Sequence, residues 1–308
     1  VIADVWNGTG DRSDPFTKLI MRTSGPGWGM NYFSGAIYWI AGSNLFVGQA
    51  ICAFFGAATA PVIYWCAKRM FVNQRVARYA AILVAVFPSM IVWSSQFLKD
   101  GLIIFFLVLS MTMVLEIQRR FNLIAVGILG LSMFSILSLR FYIFYMVVIS
   151  VFGSFLVGLG SSTQSIVRRL IVVAMLGLSL AVLGVFQSAN LDLERYATIE
   201  RFESSRKWAS EVSGSGFVQS DDASVLTAGG ALSVFPIGLT YILLAPFPWQ
   251  ATNFRQAITT PEILLWWCMI PFAVYGLVFS IKNRLKPAIP VLVFSTMLTV
   301  VYALFQGN

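Results

Sequence analysis

The sequence contains no histidine in 308 residues, and only 11% of its residues are charged. Without imidazole there is no Ser-His-Asp triad, no histidine-ligated zinc or haem, and no side chain whose ordinary titration falls near pH 7. Proton transfer is left to Asp, Glu, Lys, Tyr or Cys. Cysteine is nearly as scarce. Cys52, Cys66 and Cys268 sit far apart inside apolar runs, which suits small buried hydrophobes and not a disulfide framework or a metal cluster. The shortage of charge excludes a soluble domain, where about 25% of residues are charged. What fills the space is apolar: 58% of the chain, with a mean hydropathy of +0.79. The fold class is therefore an all-α polytopic membrane protein.

About 20 apolar residues, at about 1.5 Å each, cross a hydrocarbon layer about 30 Å thick. Runs of that length predict about eight transmembrane helices, at 44–67, 78–98, 101–118, 121–139, 141–160, 169–187, 262–281 and 287–305. A ninth run, 231–247, carries Pro236 and is closed by Pro246 and Pro248, and reads as a re-entrant or interfacial helix. Four regions follow: a first external loop with a juxtamembrane helix (1–43), a core of six spans (44–187), a large external loop (188–261) and a C-terminal pair of spans (262–308).

Lysine and arginine set the orientation. Lys68, Arg69, Arg75 and Arg78 fill one turn, Arg119 and Arg120 a second, Arg168 and Arg169 a third, and Lys282, Arg284 and Lys286 a fourth. These eleven of the 21 basic residues, with Glu116 alone of the 13 acids, are expected on the cytoplasmic side. The net charge of +8 is thus a topology signal, and nucleic acid is not an expected partner. The lipid bilayer is. Residues 1–43 come out on the external side with no preceding span, so at least one further helix is expected upstream of Val1, and the chain reads as cut at both ends. In the large loop, 190–212 has charges at helical spacing and predicts an amphipathic helix, whereas 213–230 is Gly- and Ser-rich and predicts an irregular loop.

Polar residues at the external margin are the places for chemistry. Lys99-Asp100 joins two spans in FPSMIVWSSQFLKDGLIIFF. A lysine beside helix N-terminal amides suits a phosphate, and a carboxylate suits a hydroxyl or a metal. A helix cap plus a snorkelling lysine accounts for the same two residues without chemistry. Arg140, followed by Tyr142 and Tyr145, has the planar fork that binds a lipid phosphate, or belongs to an interfacial belt. The first loop offers Asp4, Asp11, Arg12, Asp14, Lys18 and Arg22, where paired carboxylates would serve as a general base or as ligands for a divalent metal; solvated loop charge is the more frequent explanation, and their spacing is no specific metal motif. Glu116 is expected to pair along its own helix with Arg119 or Arg120.

The stretch from GPGWGMNYFSGAIYWIAG through the span ending Lys68-Arg69-Met70-Phe71, the basic turn, Phe87-Pro88 and Lys99-Asp100 resembles bacterial members of the GT-C superfamily of integral-membrane glycosyltransferases. The later FPIGLTYILLAPFPW is similar to a feature that follows the large external loop in such proteins. The resemblance implies transfer of a sugar from a polyprenyl-phosphate carrier to a lipid, glycan or protein acceptor. The reaction would occur on the outer side of the cytoplasmic membrane, with inversion. It assigns Lys99 and Arg140 to the donor phosphate and Asp100 to the donor site as a candidate catalytic carboxylate. The family's acidic base lies in the first external loop soon after the first span, which would fall upstream of ADVWNG and leaves Asp4 as a stand-in only. Two alternatives stay open: a polysaccharide polymerase or ligase using lipid-linked oligosaccharide, and a transporter or flippase. Against transport, the span centres hold no ionised residue.

Overall fold

The computed structural model describes residues 27–156, 174, 228–245, 247–250 and 254–305. The described residues are helical apart from turns and one 3-10 turn, and divide between two compact units, Val1–Ala189 and Asn190–Asn308.

In the first unit, α1 (Trp28–Ala41), α2 (Leu45–Phe71), α3 (Gln74–Val86), α4 (Pro88–Ser95), α5 (Lys99–Arg119), α6 (Leu123–Leu139) and α7 (Phe141–Leu156) follow one another closely. Asparagine starts three of them. The side chains of Asn44, Asn73 and Asn122 accept from backbone N–H groups of Phe46, Arg75 and Ile124, meeting donors that a helix start leaves unpaired. Lys68 and Arg69 in the last turn of α2 complement its negative pole.

α5 is the central helix, packed against α2 on one side and α6 on the other. Val114, Leu129, Met133, Ile136 and Val147 are fully buried there. The polar residues among them turn inward on their own helices. Thr112, Ser132 and Ser150 each donate to the carbonyl four residues earlier, which satisfies a hydroxyl where water is absent. A stripe of small residues on α2 lets the α4–α5 junction approach. Phe97 packs on Gly48, the Cys52 thiol lies 3.7 Å from the Leu98 carbonyl oxygen, and Ser94 sits where a Cβ on Gly56 would be.

Four helices are long and apolar enough to cross a membrane: α2, α5, the 260–283 part of α9 (Phe254–Asn283) and α10 (Leu285–Phe305). The run expected as one span at 78–98 is instead a pair, α3 and α4, bent by 56°. Pro88 stands at the first position of α4, and the residue before a proline is driven out of helical geometry, as Phe87 is at φ −71°, ψ 119°. Counting that pair gives up to five spans, with α6 and α7 as shorter apolar helices. The expected span at 169–187, save Ala174, and the expected amphipathic helix at 190–212 lie outside the described residues.

Each end of α5 carries an ion pair. Twenty residues separate Lys99 from Arg119, about 30 Å of helix. At the Arg119 end, Glu116 forms a 2.8 Å ion pair with Arg69 at the end of α2. This corrects the expectation of a partner on its own helix: the packing of α2 on α5 brings a basic residue closer than helical spacing does.

The second unit holds α8 (Ala228–Leu244), a 3-10 turn at Pro248–Gln250, α9 and α10. α8 packs on α10, with Gly238 against the Ala303 carbonyl. α9 begins eight residues before the expected 262, running through Pro261 and Pro271. Cys52 and Cys66 are buried as expected, but Cys268 is exposed on α9.

Candidate active site at the α5, α6 and α7 junction

α6 ends and α7 begins at a single extended residue, Arg140, at φ −150° and ψ 101°. Its N–H bonds to the Ile136 carbonyl at 2.7 Å, closing α6, and its own carbonyl accepts from Phe144, opening α7. That double role fixes the Cα, and hence where the guanidinium can reach.

The guanidinium is divided between two partners. Nη2 lies 2.9 Å from Asp100 Oδ1, and Nη1 donates to the Tyr142 hydroxyl at 3.0 Å. Both members of the ion pair are part-exposed, at 26% for Arg140 and 36% for Asp100. α5 starts at Lys99 after Leu98, with no side-chain cap, and Asp100 falls in its first turn. A helix cap is therefore not what Asp100 supplies; its first-turn carboxylate faces Arg140, forty residues on. The Arg140 guanidinium and the Asp100 carboxylate both act electrostatically on the Lys99 ammonium. Two cations against one carboxylate leave the cluster net positive.

The wall beside Lys99 comes from the start of α1. Gly27 has φ +84°, which favours glycine, and a Cβ there would lie 3.1 Å from Lys99 Nζ and 3.2 Å from the Leu139 carbonyl oxygen. Gly29 packs directly on Ser138, and Trp28 meets Phe134 edge-on at 6.0 Å. Three helix N-termini, those of α1, α5 and α7, thus gather around Lys99 and Arg140, each adding a positive pole.

The structure brings together three of the residues singled out from sequence, Lys99, Asp100 and Arg140. Asp4 and the other charged residues of the first loop lie outside the described residues. Tyr142 and Gly27 enter as a guanidinium partner and a site wall. Their signals were the Arg-Phe-Tyr and Gly-Trp-Gly sequences, whose roles depend on helix packing. Among the described residues, no three Cys, Asp or Glu side chains come together to hold a metal.

A family profile for dolichyl-phosphate-mannose-protein mannosyltransferases matches residues 7–190. The chain belongs to this family. The match covers more than half of the sequence and includes Gly27, Lys99, Asp100, Arg140 and Tyr142, while α8, α9 and α10 follow it. It is a family of glycosyltransferases that work in membranes with a polyprenyl-phosphate-linked sugar donor, in agreement with the resemblance read from sequence and with the multi-pass character of the helices. No curated protein and no solved structure matched the chain.

Proposed function

We propose that the chain transfers a sugar from a polyprenyl-phosphate carrier to an acceptor on the outer side of the cytoplasmic membrane, with inversion at the anomeric carbon. The observation that carries this reading is the convergence of Lys99 and the Asp100-bound Arg140 at the end of the bundle opposite the Arg69–Glu116 pair. Breaking a sugar–phosphate bond builds positive charge on the ring and negative charge on the departing phosphate. Cations fixed at that phosphate stabilise the transition state more than the ground state.

In this mechanism Lys99 and Arg140 hold the phosphate. Asp100 is a positioning residue: it engages one guanidinium nitrogen while Tyr142 engages another, so the fork is oriented before substrate arrives. With Asp100 engaged by Arg140, the acceptor's proton passes to another carboxylate, for which the first external loop is the natural source. Attack on the face opposite the phosphate needs one displacement and no covalent sugar intermediate.

The test is transfer of radiolabelled sugar from a synthetic polyprenyl-phosphate hexose to cell-envelope acceptors by the full-length protein in proteoliposomes. Lys99→Ala is expected to lower the rate by about 10²–10³, the usual cost of removing one donor to developing negative charge. Full activity in that variant, or transfer only from nucleotide sugars, would overturn the proposal. Addition of many units per acceptor would instead mark a polymerase.

A further inference from the structure

The turn joining α8 to α9 is an aromatic corner outside the family match and unused by the mechanism. Phe247 stacks on Trp249 with centroids 5.1 Å apart and 23° between planes, Trp249 lies 6.0 Å from Trp267, and Tyr241 meets Phe247 edge-on. Two neighbouring indoles close the end of α8. Trp266 Nε1 donates to the Leu243 carbonyl at 2.7 Å, and Trp267 Nε1 to the Leu244 carbonyl at 3.0 Å. These carbonyls have no partner further along their own helix, and leaving them unmet away from water is costly. Trp249 is 73% exposed, and apolar exposure continues down α9 to Phe272 at 77%.

The position of the corner along the spans can be counted. Trp267 precedes Lys282, in the basic last turn of α9, by fifteen residues, about 22 Å of helix. Ala303, against which Gly238 of α8 packs, follows Lys286 by seventeen residues of α10, about 26 Å. With the basic turn at one margin of a hydrocarbon layer about 30 Å thick, both contacts fall near the other margin.

We propose that the Phe247, Trp249 and Trp267 corner is a lipid-binding surface, seated at the boundary between headgroups and acyl chains of the leaflet opposite the basic 282–286 turn. Large rings with an apolar body and a polar edge favour this layer. The corner is continuous with the outward face of a membrane-spanning helix, so lipid is the occupant already adjoining it.

The experiment is a nitroxide on Gln250→Cys in the full-length protein, with Cys268→Ser, in phosphatidylethanolamine–phosphatidylglycerol vesicles. Its collision rates with oxygen and with a water-soluble nickel chelate are compared with those of a label at Tyr275→Cys, deep in the span. The expected result is a label about 5–10 Å inside the headgroup boundary, and a shift towards water when Phe247→Ser and Trp249→Ser are added. A label at Gln250→Cys as open to nickel as a free loop, one closed to both reagents because protein covers it, or one as deep as residue 275 would each overturn the proposal. Because the first reading leaves every ring in place, it does not depend on the serine variants folding.

Discussion

Asp100 and Arg140 are separated by forty residues and joined by one 2.9 Å contact, and what that contact is worth divides structure from function. A part-exposed ion pair contributes about 0–1 kcal/mol to stability. Asp100→Asn should therefore shift thermal unfolding little, while releasing the guanidinium and weakening donor use. A double-mutant cycle with Arg140→Gln is expected to be strongly non-additive in kcat/KM, the second substitution adding little to the first. Additive losses would make the two residues independent. Much of this cluster is legible in the sequence, because a Lys-Asp pair and a lone arginine between apolar runs are conspicuous. Their pairing is not legible, since it depends on α5 and α6 lying side by side. The same limit applies to Glu116: two arginines stand at helical spacing, yet the ion pair goes to Arg69, supplied by α2.

At the scale of elements, the α4–α5 junction sets where Lys99 stands. Ser94 fills the space beside Gly56 and also lies 3.2 Å from where a Cβ on Gly101 would be, so α2, α4 and α5 meet at one seam. Gly56→Ala should overpack that seam and cost about 1–3 kcal/mol, lowering the melting temperature in detergent. Ser94→Gly in the same chain should recover much of the loss, and an unchanged melting temperature in the single variant would refute the close approach. Hydropathy placed most helices within a few residues but missed the break at Phe87-Pro88. An average over 20 residues reports how apolar a run is, not whether one proline interrupts its hydrogen bonds. α9 starts before the expected 262 because its first residues, FRQAITTPE, are polar and lower the average without ending the helix, which continues through Pro261 from Phe254.

For the molecule as a whole, the basic turn after α2 and the Lys99–Arg140 cluster occupy opposite ends of one helical bundle. In a Cys268→Ser background, an impermeant maleimide applied to intact spheroplasts should label Ser43→Cys, whereas Arg75→Cys should react only after permeabilisation. The reverse pattern would put the cluster in the cytoplasm and remove the proposed outward-facing reaction. Charge asymmetry is what leads the sequence to predict this sidedness, because basic loops resist translocation. The central claim is narrower: Lys99 receives the carrier's phosphate. It is tested most directly by equilibrium binding of a polyprenyl phosphate to the wild type, Lys99→Gln and the basic-turn control Arg75→Gln. A hydrogen bond to a charged group contributes about 1.5–3 kcal/mol, so Lys99→Gln should weaken binding about 10- to 150-fold while Arg75→Gln leaves it unchanged. Equal affinity in wild type and Lys99→Gln would contradict the account.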